Sequence, residues 1–201
     1  MLRRIALCLL APLPAMAQTA TPWVHVIEPA FGQVVFMPAP TRFRIGDQQE
    51  RDGFHILELA PEGESVAAWS QLMTLTANAG LATSATPEAF RDQFAAGFHK
   101  ACPESFFAAP VELPPFKGAS AQAAMILSCG SYEGQSETAA VIVLAAGDTI
   151  FTLQWAEHGQ ATPGPQQPDW ATWEPRFGLL SQGRICPQVA GEEMPYPSCK
   201  P

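Results

Sequence analysis

One helix and one strand that both run to a cysteine constrain this chain more than any other feature. Thr86-Pro87-Glu88 reads as a helix start: a hydroxyl N-cap, proline at the first helical position and a carboxylate in the first turn. Phe90, Phe94 and Phe98 recur every fourth residue, which puts three rings on one buried stripe. Cys102 stands four residues further on, at the foot of that stripe, and Pro103 ends the helix. The run Ala123-Ala124-Met125-Ile126-Leu127-Ser128-Cys129 reads as a strand bounded by Gly130, with Met125, Leu127 and Cys129 on one face. A helix stripe and a strand face that each end in a cysteine predict a helix pinned to a sheet through Cys102 and Cys129.

The cysteine count supports that pin once the start of the chain is read. Residues 1–17 have the parts of a signal peptide: Arg3 and Arg4, an apolar run over residues 5–13, and the Ala15-Met16-Ala17 cleavage site before Gln18. The apolar run is too short to span a bilayer. Cys8 is no lipidation site, because the large Leu7 precedes it and too little chain lies ahead of it. No other stretch reads as a membrane helix, so the mature protein is expected to be soluble, in the periplasm or outside the cell. With Cys8 removed, Cys102, Cys129, Cys186 and Cys199 remain, an even number for an oxidising compartment. Four cysteines allow three pairings. The helix-to-strand pairing of Cys102 with Cys129 leaves Cys186 with Cys199, closing a short Pro-rich tail. The rival, a metal site around His99 and Cys102, lacks the paired CxxC spacing of such sites.

About 184 residues after cleavage suit a single domain. The chain carries a formal charge of −8, and losing Arg3 and Arg4 makes the mature form more acidic still. That balance favours a soluble monomer and repels phosphate backbones and anionic lipid. No basic cluster offsets it, so nucleic acid is excluded as a partner.

Residues 18–42 read as an N-terminal arm. Its Val34-Val35-Phe36-Met37 run, followed by Pro38 and Pro40, suggests a short edge strand. Residues 43–186 form the domain. Residues near Phe43-Arg44-Ile45 pair across a polar turn, residues 46–53, with a strand over residues 55–60. Ser65 caps one helical turn reaching Trp69, and residues 72–77 form another strand. Residues 138–144 are nearly all apolar or small, as in a central strand buried on both faces, and residues 149–155 alternate cleanly. With residues 123–129 they predict a three-stranded antiparallel meander. A Gly/Pro/Gln loop follows over residues 159–167. A final helix begins near Thr172, with Pro175 in its first turn and Phe177, Leu180 and Arg184 or Ile185 at helical spacing, and Cys186-Pro187 ends it. Residues 187–201 are the disulfide-closed tail. The fold class is α+β: an antiparallel sheet carrying two main helices and stapled by two disulfides.

The segment Pro61-Glu62-Gly63-Glu64-Ser65-Val66, then Trp69, then Leu72-Met73-Thr74, resembles one found in small secreted proteobacterial proteins. The phenylalanine-bearing helix, the Cys102-Pro103 pair and the later strand cysteine match them too. The order hairpin, strand, helix, meander, helix is similar to the PsbP-like α/β layout, shared by periplasmic DcrB-type proteins. The likeness spans roughly residues 43–186. It implies a fold, and binding or accessory roles, but no catalytic residue.

Catalytic patterns fare poorly. Cys129-Gly130-Ser131 has a distant likeness to a papain-type nucleophile with His158 downstream, but here the cysteine ends a strand and has a disulfide partner. Gly130 and Gly134 do not frame Ser131 as a nucleophile elbow does, and a glycine-rich turn is the plainer reading. His55 and Glu58 fall on opposite faces of their strand. His25, His99 and His158 show no metal-ligand spacing, and no cofactor motif occurs. Glu62, Glu64, Glu133 and Glu137 read as solvated loop charge. Trp69 and Trp155 read as core or half-core residues. Trp170 and Trp173 pack on the sheet, or line a groove where the sheet meets the loop near residues 159–168. No catalytic, cofactor or metal residue is assigned. The functional expectation is a non-catalytic periplasmic binding or accessory protein, without a cofactor, that contacts another envelope protein. The alternatives are a small hydrolase built on His55 or His158 with nearby carboxylates, and an inhibitor or immunity-type protein that occludes a toxin or protease.

Overall fold

The computed structural model describes residues 22–199, so the leader read at residues 1–17 lies outside the described residues. Two antiparallel sheets are present among them. β1 (Trp23–Ala30) and β2 (Gln33–Pro40) form a hairpin, and β10 (Arg184–Pro187) pairs with the far side of β2. The larger sheet contains β3 (Phe43–Arg51), β4 (Phe54–Pro61), β5 (Gln71–Asn78), β6 (Phe106–Pro110), β7 (Ala121–Tyr132), β8 (Gln135–Ala146) and β9 (Thr149–Gln160). Its order is β3-β4-β5-β9-β8-β7-β6. The helices are α1 (Pro87–Ala101) and α2 (Trp170–Leu180).

The two-residue period of β8 explains the layering. Val141 and Val143 face α1, whose Phe90, Phe94 and Phe98 pack on that side. Ile142 and Leu144 face the opposite way, into the main core with Val35 and Met37 of β2 and Trp173, Phe177 and Leu180 of α2. The large sheet is therefore covered by α1 on one face, and by the small sheet and α2 on the other. The predicted meander is present as β7-β8-β9. Cys102 and Cys129 are paired with Cα atoms 5.9 Å apart, and Cys186 and Cys199 with Cα atoms 5.7 Å apart. The first pair joins the end of α1 to β7, as its sequence position predicts. The second ties β10 to the last turn, where Arg184 Nε also donates to the Cys199 carbonyl at 2.9 Å.

Several local expectations are corrected. Val34-Val35-Phe36-Met37 does not lie at an edge: it is the buried centre of the small sheet, flanked by β1 and β10. Pro38 and Pro40 are compatible with this because β10 pairs only as far as Phe36, so the prolines fall where β2 has a single neighbour. The polar segment at residues 46–53 is mostly strand. β3 bulges between Ile45 and Asp47, and the turn is only Asp52-Gly53, both at positive φ. Ser65 starts no helix; it exchanges backbone bonds with Ala68 in a tight bend. β7 also runs through Gly130, and the turn is Glu133-Gly134, again with both φ positive. Gly130 is needed for packing: a Cβ there would lie 2.6 Å from the Gly164 carbonyl, where the loop after β9 crosses β7.

The last helix starts earlier and ends sooner than its apolar spacing suggests. Asp169 caps it by accepting from Ala171 N and Thr172 Oγ1. Pro175 therefore sits in the second turn, leaving the Ala171 carbonyl without its helical donor. Residues 184–187 are strand, because Phe36, Val35, Val34 and Gln33 of β2 offer a backbone partner to each of them. Arg176 of α2 lies over the Trp173 ring at 4.2 Å, reaches the Trp155 ring at 5.3 Å and pairs with Glu157, fixing α2 against β9.

The sequence separation of 27 between Cys102 and Cys129 sets the expected cost of removing that crosslink. A Cys102→Ala/Cys129→Ala variant is expected to lose about 3 kcal/mol of unfolding free energy in urea titration, with its far-UV circular dichroism retained.

Candidate functional site

Register places four side chains in a row across the α1 face of the large sheet. Phe106 of β6 pairs with Cys129 of β7, Cys129 with Glu137 of β8, and Glu137 with His158 of β9. Directly paired residues share a face. Above this row lies the C-terminal half of α1, held at its start by Thr86, whose hydroxyl accepts from Ala89 N at 3.2 Å.

The phenylalanine stripe does face the sheet, but it is not buried as the sequence predicts. Phe90, Phe94 and Phe98 are all half-buried, and Pro87 is the one fully buried residue of α1. The reason is a groove of about 540 Å³ between helix and sheet, lined by the three rings, Gly97, Cys129, Tyr132 and Glu137. Phe94 and Phe98 stack with centroids 5.4 Å apart and form its roof. A Cβ at Gly97 would meet nothing within 4 Å. Mid-helix glycine costs about 1 kcal/mol relative to alanine, so this helix gives up propensity at a position that faces open space.

Glu137 also lines a second recess of about 190 Å³, with Tyr132, Glu133, Ser136 and His158. His158 lines a third, about 580 Å³, with Glu64, Trp69 and Ser70. The apolar groove thus passes into polar ground at Glu137. The His158 ring stacks on Trp69 at 3.5 Å, its Nδ1 lies 3.1 Å from the Trp69 carbonyl, and its Nε2 lies 3.7 Å from Glu137 Oε2. A carbonyl only accepts, so Nδ1 carries a proton, and Nε2 turns toward Glu137. Burial holds the Glu137 carboxyl above the usual carboxylate range, against the opposing pull of His158. Glu64 is exposed and shifted the other way, because the Ser70 backbone N–H and hydroxyl both donate to it.

The other predicted residues are placed differently. His55 does meet carboxylates: Nε2 is 3.1 Å from Glu28 Oε1, and Nδ1 is 3.3 Å from Glu50 Oε2. His55 is 2% exposed and Glu28 6%, so a substrate has no approach to them. Glu28 lies on β1 and His55 on β4, so the cluster joins the two sheets; Gln48 Nε2 donates to Glu28 at 2.8 Å, and burial raises the Glu28 pKa. Glu58 stands on the opposite face of β4. Cys129 is bonded to Cys102, which leaves no thiolate for a papain-type reaction. Trp173 is core, while Trp170 lines a smaller recess of about 350 Å³ with Phe107, Gln167 and Pro168, where the sheet meets the Pro-rich loop. Among the described residues, no three of His, Cys, Asp or Glu gather as a metal site.

Glu137 and His158 were not paired by sequence reasoning. The usable signal was the Glu133-Gly134 turn: with the hairpin closed there, Cys129, Glu137 and His158 fall into line.

These observations define an α+β protein with two antiparallel sheets, two disulfides and a half-apolar groove beside a half-buried carboxyl. No protein-family model matches the chain, and no curated protein sequence matches it. Solved structures similar to it include the Ran-binding protein Mog1p of Saccharomyces cerevisiae, 10% identical over 81% of this chain and 87% of that one, with a TM-score of 0.46. The cyanobacterial PsbP (CyanoP) of Synechocystis is 9% identical over 86% of this chain and 99% of its own, with a TM-score of 0.41. These are likenesses of layout and say nothing of activity. No helix among the described residues is long and apolar enough to cross a membrane.

Glu137→Gln tests the electrostatics of the groove. A carboxyl whose pKa is raised on folding contributes stability fully below its ordinary value of 4.5 and loses it as pH rises through the raised value. The variant is expected to melt above the parent at neutral pH, with the difference shrinking toward zero below about 4.5. Thermal unfolding followed across that range checks this.

Proposed function

We propose that this is an exported, non-catalytic binding protein whose ligand is a small, largely apolar molecule held between α1 and the sheet. The observation that carries the reading is the half-buried stripe of Phe90, Phe94 and Phe98 over a groove of about 540 Å³. A helix that packs to exclude water alone would close onto the sheet; this one leaves space of the size small-molecule sites have. Export is supported by the leader read at residues 1–17 and by two disulfides, which persist in oxidising compartments. Edman sequencing of the processed protein is expected to begin at Gln18.

A second reading, hydrolysis, is favoured by one observation: His158 Nε2 stands beside Glu137 in a recess. Against it, Cys129 is bonded and offers no thiolate.

Titration with the uncharged dye Nile red separates the two. One-site binding, lost in a Gly97→Leu variant that fills the groove and keeps the parent's melting temperature or exceeds it, is the expected result. Equal dye binding by parent and variant would sink the groove reading. Turnover of a simple ester, abolished in His158→Ala, would establish the hydrolytic one.

A further inference from the structure

Resting on the binding reading above, we propose that the ligand is an amphipathic cation: an apolar tail under Phe90, Phe94 and Phe98, and an ammonium head at Glu137. Glu137 and Tyr132 line both the apolar groove and the polar recess beside it, so a molecule lying in the groove places its end at this junction, where Glu137 supplies the charge. Neither recess is lined by lysine or arginine; the polar lining is Gln93, Tyr132, Glu133, Gln135, Ser136, Glu137 and His158. Two carboxylates with no lysine or arginine among them are complementary to a positive head and repel a negative one.

The carboxyl also keeps acceptor capacity for such a ligand. Its contact with His158 Nε2 is 3.7 Å, longer than a hydrogen bond. Partial burial gives the ionised form a desolvation cost that a bound cation offsets. Tyr132 adds a second recognition element. It is 50% exposed and lines both recesses, so its ring is free to meet an ammonium group. The chain's formal charge of −8 draws cations toward the whole molecule.

Three probes with one tail test this by isothermal titration calorimetry below their micelle concentrations: octyltrimethylammonium, octyl sulfate and the uncharged octyl glucoside. The cation is expected to bind at least about tenfold tighter than the anion. Glu137→Gln is expected to remove that preference while leaving the glucoside affinity unchanged, and Gly97→Leu to weaken all three. Equal affinity for the three heads, all lost in Gly97→Leu, overturns the cationic head and leaves the groove reading standing. A cation preference that survives Glu137→Gln overturns the assignment to Glu137. No binding of any probe, or binding indifferent to Gly97→Leu, overturns the groove reading as well.

Discussion

Every layer of this protein is packed against β8. Its alternate residues feed two separate cores: Ala139, Val141 and Val143 toward α1, and Ala140, Ile142 and Leu144 toward β2 and α2. Full burial of a valine, leucine or isoleucine side chain is worth about 1.5–3 kcal/mol, so both faces of this strand matter to stability. The same alternation sets the chemistry. A slip of one residue would exchange the two faces and turn Glu137 away from α1. The Glu133-Gly134 turn and the long ladders to β7 and β9 hold the register that keeps this carboxyl in the groove.

Two histidine–carboxylate pairs in one fold show how burial separates structure from recognition. His55 is enclosed between sheets, with Glu28 on one nitrogen and Glu50 on the other, and both ring edges are occupied. His158 is held by a carbonyl and an indole on one side, and its remaining nitrogen looks across 3.7 Å to a carboxyl at the edge of a cavity. The chemical components are alike. The difference is access, and access is a property of layers rather than of side chains.

Periodicity made α1, β8 and the meander legible, because apolar residues at helical or alternating spacing report a buried face directly. The Cys102–Cys129 pairing was legible for the same reason, since each cysteine closes an apolar face. What stayed hidden depends on partners distant in the chain. Val34-Val35-Phe36-Met37 looks like an edge because of its prolines, and its central place is visible only once β10 lies beside it. Phe177, Leu180 and Ile185 fit one helical stripe by spacing, but the backbone of β2 claims residues 184–187 for strand. The phenylalanine stripe was read correctly as a sheet-facing surface; its incomplete burial is a matter of volume, on which spacing is silent. Glu137 and His158 are 21 positions apart and meet only through register.

The small sheet has a topological consequence. β1 and β2 come from the beginning of the described chain, and their third strand, Arg184–Pro187, comes from near its end. A chain delivered from its N-terminus can complete α1 and the β7-β8-β9 meander while β2 still lacks one neighbour. Until residues 184–187 arrive, the backbone groups of its apolar Val34–Phe36 segment stand open to strand addition. The small sheet is complete only when residues 184–187 pair with β2, and the Cys186–Cys199 bond ties that closing strand to the last turn.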